Sequence, residues 1–153
     1  MSRFMSNRII VPVVVVAIVI VLIGVIFVSG VFNQPTAPDV KFIDFKPEGA
    51  ITLKQGQAVQ ITFNVVNNEN FAARNINVVT SHDGQPEFFT IDRPTATITG
   101  SLGANGGRTG LQTINVIGNT SDQDAVEADF TVRLFAVDSQ LTDTRTFKVR
   151  LEK

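Results

Sequence analysis

Cysteine, tyrosine and tryptophan are absent from this 153-residue chain, and histidine occurs once. Without cysteine there is no disulfide framework, no thiolate nucleophile and no Cys-ligated metal. The lone His82 falls short of the two or more His or Cys ligands that copper, zinc or non-haem iron sites normally need. The only methionines are Met1 and Met5, so a cupredoxin site is excluded as well. The lack of Tyr and Trp removes the amphipathic rings that build sugar platforms and interface hot spots. All 12 aromatics are Phe, a side chain that fills cores and lipid.

Acidic residues are missing from the first 38 positions, which hold Arg3 and Arg8 as their only charges. Setting those two aside leaves 11 basic residues against 14 acidic ones, a net charge of −3 on the remainder. A mildly acidic domain lacks the electrostatic footprint of a nucleic-acid binder, and none is expected as a partner.

What is present begins with Ile9–Val28, an unbroken stretch with no charged or polar side chain. As a helix at about 1.5 Å per residue, it spans about 30 Å, the hydrocarbon thickness of a bilayer. Its Val and Ile favour strands in water, but lipid leaves the backbone of a lone strand unpaired, so hydrocarbon forces a helix. Pro12 falls in the first turn, where its missing N–H does least harm. The sequence therefore predicts a short cytoplasmic segment at 1–8, a transmembrane helix at 9–32 in contact with membrane lipid, and a linker at 33–39. Arg3 and Arg8 hold the N-terminus in the cytoplasm by the positive-inside rule, leaving 40–153 outside the membrane. Ala17 and Gly24 lie on one helix face, where small residues can let two anchors approach, but small residues scattered in an apolar helix are the preferred reading. A cleaved signal is the alternative, with small residues at Val28-Ser29-Gly30, although signals have shorter apolar regions. A pilin-type leader fails, since Asn7-Arg8 stands where Gly is required and no acid follows.

Beyond the prolines at 35 and 38 the hydrophobic period becomes two. Val59, Ile61, Phe63 and Val65 alternate with Gln60, Thr62 and Asn64. Ile76 and Val78 alternate likewise, as do Ala128, Phe130, Val132, Leu134 and Ala136. Phe147, Val149 and Leu151 alternate with Lys148, Arg150 and Glu152. This is the pattern of sheets with one buried face. Shorter strands are predicted at 40–46, 50–54, 87–91, 95–100 and 110–117, with turn signals at Pro47–Gly49, Asp83–Pro86, Asp92–Pro94 and Gly103–Gly107. A change of phase between Phe42 and Ile43 predicts a bulge in the first strand. The expected fold is all-β: an immunoglobulin-like, antiparallel two-sheet sandwich behind one N-terminal transmembrane helix.

The run Gly56–Asn68, followed by Ala72–Val79, resembles the second and third strands of immunoglobulin-like modules of the CARDB and NEW3 type. Those modules read as glycine, an alternating strand ending near Val-x-Asn, a polar loop, then an Asn-apolar-x-Val strand. They are common on archaeal and bacterial surfaces, and the resemblance implies a fold rather than an activity. The core Trp and disulfide of antibody domains have no counterpart here.

Few residues suggest chemistry. Ser81 adjoins His82, but neighbours on a strand or turn point apart, and there is no G-x-S-x-G elbow. His82, beside Asp83-Gly84, is expected in an exposed turn. Gly103–Gly110 lacks phosphate-loop spacing and a following helix, so a mobile hairpin loop is expected. Asp122, Asp124 and Glu127 offer hard oxygen ligands of the kind calcium takes. Asn119-Thr120-Ser121 is an N-x-[ST] glycosylation sequon. No catalytic residue and no cofactor are predicted. The expectation is a non-catalytic structural or protein-interaction module of the cell envelope, held on the membrane and meeting another envelope or membrane-complex protein. The alternatives are an accessory subunit of a membrane enzyme or transporter, or a secreted sandwich if the apolar segment is removed.

Overall fold

The computed structural model describes residues 37–153; the predicted helix at 9–32 and most of the linker lie outside the described residues. Ten strands follow in chain order: β1 (Val40–Lys46), β2 (Ile51–Lys54), β3 (Ala58–Asn67), β4 (Ala73–His82), β5 (Phe89–Ile91), β6 (Thr95–Leu102), β7 (Gly107–Arg108), β8 (Gln112–Gly118), β9 (Ala125–Ala136) and β10 (Gln140–Glu152). Among the described residues no helix is long and apolar enough to cross a membrane.

The strands form two sheets, one ordered β1-β3-β8-β5 with β7 also on β3, the other β2-β10-β9-β4-β6. With β1, β3, β4, β5, β8, β9 and β10 taken as strands A to G, the first sheet reads A-B-E-D and the second C-F-G. That is the arrangement of an immunoglobulin-like sandwich. β6 adds a strand beside β4, and β2 adds one beside β10.

Alternation does what the sequence demands of it. Ile61, Phe63, Ile76, Val78, Phe130, Val132, Leu134 and Val149 are buried in one core between the sheets. Phenylalanine supplies its centre: Phe147 stacks on Phe130 at 5.5 Å, and Phe89 meets Phe130 edge-on at 5.4 Å. Phe45, Phe42 and Phe63 continue the cluster, with Phe42 and Phe63 at 5.0 Å. Such aromatic contacts add stabilisation beyond the area they bury.

The bulge in β1 is present. Its register against β3 breaks between Ile43 and Lys46, and Asp44 takes the left-handed conformation at φ 54°. This lets both Phe42 and Phe45 turn toward the core, as their unequal phase requires.

One expectation is corrected: the pairing is not wholly antiparallel. β2 runs parallel to β10, with Val149 beside Ile51 and Leu151 beside Leu53. The reason lies in the opening run of the chain. β1 pairs with β3 in one sheet, then the chain crosses at Pro47–Ala50 and continues in the facing sheet as β2. It meets there the final strand, β10, travelling the same way.

Candidate functional site

Of the residues that sequence reasoning marks for chemistry, Asn119, Glu127 and His82 are engaged in holding the sandwich together. Asn119, just after β8, is the clearest. Its Nδ2 donates to the Glu87 carbonyl at 2.9 Å and to Thr90 Oγ1 at 3.0 Å, while its backbone N–H donates to the Phe88 carbonyl at 2.8 Å. The sequon asparagine therefore clamps the segment entering β5, and its side-chain nitrogen is already committed.

Asp122, Asp124 and Glu127 do not come together. Asp122 and Asp124 stand exposed in the loop before β9, whereas Glu127 lies within β9 and accepts a 3.1 Å bond from Arg150 Nη1. Arg150 Nε also reaches Glu152 at 2.9 Å, and these two carboxylates hold its guanidinium above its usual pKa. Among the described residues no group of three or more His, Cys, Asp or Glu side chains is placed to hold a metal ion. Strand pairing commits Glu127 to Arg150, away from the two loop acids that the sequence groups with it as candidate calcium ligands.

His82 is corrected too. It is the last residue of β4, half-buried rather than in an exposed turn. Its ring stacks on Phe130 at 5.0 Å and meets Phe89 edge-on at 5.6 Å. The phase that buries Ile76, Val78 and Thr80 carries on to His82, and the turn starts only at Asp83. Ser81, on the opposite face, receives a 3.4 Å contact from Arg133 Nη1.

The glycine-rich stretch is not a free loop. Gly107 and Arg108 pair with Asn67 and Val66 as β7. Asn105 N–H donates to the Glu69 carbonyl and Gly106 N–H to the Asn67 carbonyl, both at 2.7 Å. Thr109 completes the join: its Oγ1 accepts the Val65 N–H at 2.9 Å where the ladder between β3 and the β7–β8 line is interrupted.

Two polar centres escaped sequence reasoning. Asn67 is fully buried, and its Nδ2 serves the carbonyls of Phe71, Leu102 and Gly103 at 2.8, 3.2 and 3.0 Å. Its Oδ1 accepts the Glu69 N–H at 3.1 Å, so one side chain joins two loops. The only hint was the terminal Asn of the Val-x-Asn pattern. The second centre is Asp143 on β10. Asp143 Oδ2 accepts the Phe42 N–H of β1 at 2.9 Å and a 3.2 Å bond from Arg145, and Arg145 Nη2 reaches the Phe42 carbonyl at 3.5 Å. An ion pair thus caps the outward backbone groups of an edge strand, across the gap between the sheets. A shallow cleft lies beside it, lined by Phe42, Asp44, Phe45, Pro47, Glu48, Arg145 and Thr146.

What the described surface offers instead is strand edges, of β1, β5 and the short β7 in one sheet and of β2 and β6 in the other. No family model matches the sequence, and no curated protein matches it. Similar solved structures do exist. One is a PapD-like domain of human CEP192, at 11% identity and TM-score 0.46, covering 79% of this chain and 89% of that domain. Another is the CooA pilin subunit of enterotoxigenic Escherichia coli, at 11% identity and TM-score 0.48, covering 75% of this chain and 98% of that one. The YadV chaperone matches at 18% identity and TM-score 0.46 over 74% of this chain, which spans about half of it, 51%. All are similar at the level of a β-sandwich, and the strand order given above carries the fold assignment. The resemblance to CARDB and NEW3 modules thus extends to an immunoglobulin-like sandwich, with no family match behind it.

Proposed function

We propose that this chain is a membrane-anchored, extracytoplasmic β-sandwich that acts as a non-catalytic interaction module of the cell envelope, of the CARDB and NEW3 kind. The observation that carries the reading is the use of its polar groups. Asn67, Asn119, Glu127 and Asp143 are each consumed in holding loops and strands, and His82 in packing. Side chains so engaged stabilise a scaffold, and a scaffold of this type offers its exposed backbone edges for strand addition. The uncharged run Ile9–Val28 supports the anchor, and Arg3 and Arg8 before it support an outward-facing domain.

The test is fractionation with alkaline washing of the full-length protein in its host membrane, followed by protease treatment of intact cells. The protein is expected to stay in the membrane pellet, with residues 40–153 removed by the external protease. Release into the wash, or a protected C-terminal domain beside digested surface proteins, would refute the anchored, outward-facing reading.

A further inference from the structure

Resting on the anchored reading above, we infer that the end of the sandwich where the chain enters is a membrane-contact surface, and that Phe71 at its tip seats in the headgroup region of the bilayer.

Hydrogen bonds assemble that end. Asp39 N–H donates to Glu69 Oε1 at 2.7 Å and Asn68 N–H to the Asp39 carbonyl at 2.9 Å, so the entering chain is pinned to the loop 68–72. Asn105 N–H donates to the Glu69 carbonyl at 2.7 Å, which adds the turn 103–106. Val137 N–H donates to the Arg74 carbonyl at 2.9 Å, which brings in the turn 137–139. The turns Asp83–Phe88 and Asn119–Asp124 lie toward the opposite end, joined to each other by Asn119.

The two ends differ in what they expose. Three large apolar side chains stand exposed among the described residues: Phe71, Leu111 and Leu141. Phe71 is on the loop that holds the entering chain, and Leu141 follows the turn 137–139; Leu111 lies on the flank, between β7 and β8. Phe71 also borders a shallow hollow with Ala72, Arg74, Asn75, Val137 and Asp138. Single exposed apolar side chains are ordinary, but the fold holds this one out. The Phe71 carbonyl accepts a 2.8 Å bond from buried Asn67 Nδ2, which fixes the backbone that presents the ring. The acids nearby are engaged: Asp39 pairs with Lys41 at 2.7 Å, and Glu69 accepts the Asp39 N–H. By contrast, Asp83, Glu87, Asp122 and Asp124 are all exposed in the two far turns, which contain no basic residue. A surface of unpaired carboxylates keeps to water.

The tether selects the occupant. With a transmembrane helix ending at residue 32, only the linker 33–39 separates the bilayer from the pinned Asp39, and its seven residues reach at most about 25 Å. The entry end is thereby held close to lipid. One ring gives too little to draw a protein onto a bilayer from solution, but contact within a tethered molecule is intramolecular, at an effective concentration on the order of millimolar. Apolar side chains that meet a bilayer from outside lie at the boundary of headgroups and acyl chains. Phenylalanine carries no polar atom that would need a partner there.

The test exploits the absence of cysteine. Asn70 and Asp122 are both exposed, one beside Phe71 and one at the far end. Asn70→Cys and Asp122→Cys each give the full-length chain a single thiol for a nitrobenzoxadiazole label. The labelled proteins are reconstituted in phosphatidylcholine vesicles whose lipids carry a nitroxide quencher near the top of the acyl chains. Quenching at 70 is expected to exceed that at 122 at least about threefold. Adding Phe71→Asp is expected to remove most of the difference and adding Phe71→Leu to retain it, with unchanged urea unfolding verifying the fold. Equal quenching at both positions, or quenching at 70 that survives Phe71→Asp, overturns the assignment. Flotation with the vesicles after an alkaline wash reports the anchor separately. A protein that floats without the contrast between 70 and 122 refutes the contact alone; one that no longer floats refutes the anchored reading and the contact with it.

Discussion

Asn67 concentrates more structural work than any other polar residue described. A buried side-chain amide left without partners loses its hydration for nothing, and here the reverse also holds. Removing it leaves the carbonyls of Phe71, Leu102 and Gly103 short of a donor. Asn67→Ala is expected to destabilise the domain by about 2–3 kcal/mol, measured by urea unfolding. Asp92 offers a pH-dependent counterpart. Burial pushes its carboxyl up, but bonds from the Asn115 backbone at 2.9 Å and side chain at 2.7 Å outweigh this and hold it below the ordinary 3.8. A carboxyl lowered in the native state contributes stability that is complete above its unfolded pKa and is lost as pH falls through the native value. Asp92→Asn is therefore expected to be less stable than wild type at about pH 7, with the gap closing by about pH 2. A gap of constant size across that range would refute the link.

At the scale of the element, the sharpest constraint falls on the turn joining β6 to β7. A Cβ on Gly107 would overlap the backbone of Gly103, including its carbonyl oxygen and carbon. A backbone cannot yield as a flexible side-chain end does, so Gly107→Ala is expected to cost about 1–3 kcal/mol. Loss of amide protection at Gly106 and Thr109 in hydrogen exchange would locate the damage at β7. Sequence reasoning reached elements in proportion to how far burial governs them. β9, with Ala128, Phe130, Val132, Leu134 and Ala136 all buried, was legible from alternation alone. The first half of β10, Gln140–Thr146, was not. Its one large apolar residue, Leu141, is 47% exposed, and its strand character comes from pairing with β9 rather than from a buried face. β7 was hidden for a related reason, since a two-residue strand held by backbone bonds to β3 leaves no periodic trace.

For the whole molecule, the sandwich followed from strand count and rhythm, because short alternating strands have few ways to bury a single face each. The parallel partnership of β2 and β10 did not follow, since it depends on residues about a hundred positions apart meeting edge to edge, and local pattern carries no such information. The candidate site was less legible than the fold. Asn119, His82 and Glu127 were recognised as polar or titratable, but the choice between reactive and structural use is made by their neighbours. Thr90, Phe130 and Arg150 become neighbours only once the sheets are assembled. The division of the opening run between both sheets has a mechanical consequence. A tug applied at residue 37 along the strand axis would strain the β1–β3 rungs from Val40 to Lys46 together, in shear. Any residual load would pass through the crossing into β2 and its rungs on β10. The domain thus meets traction on its N-terminal side with two clamps in series, one in each layer.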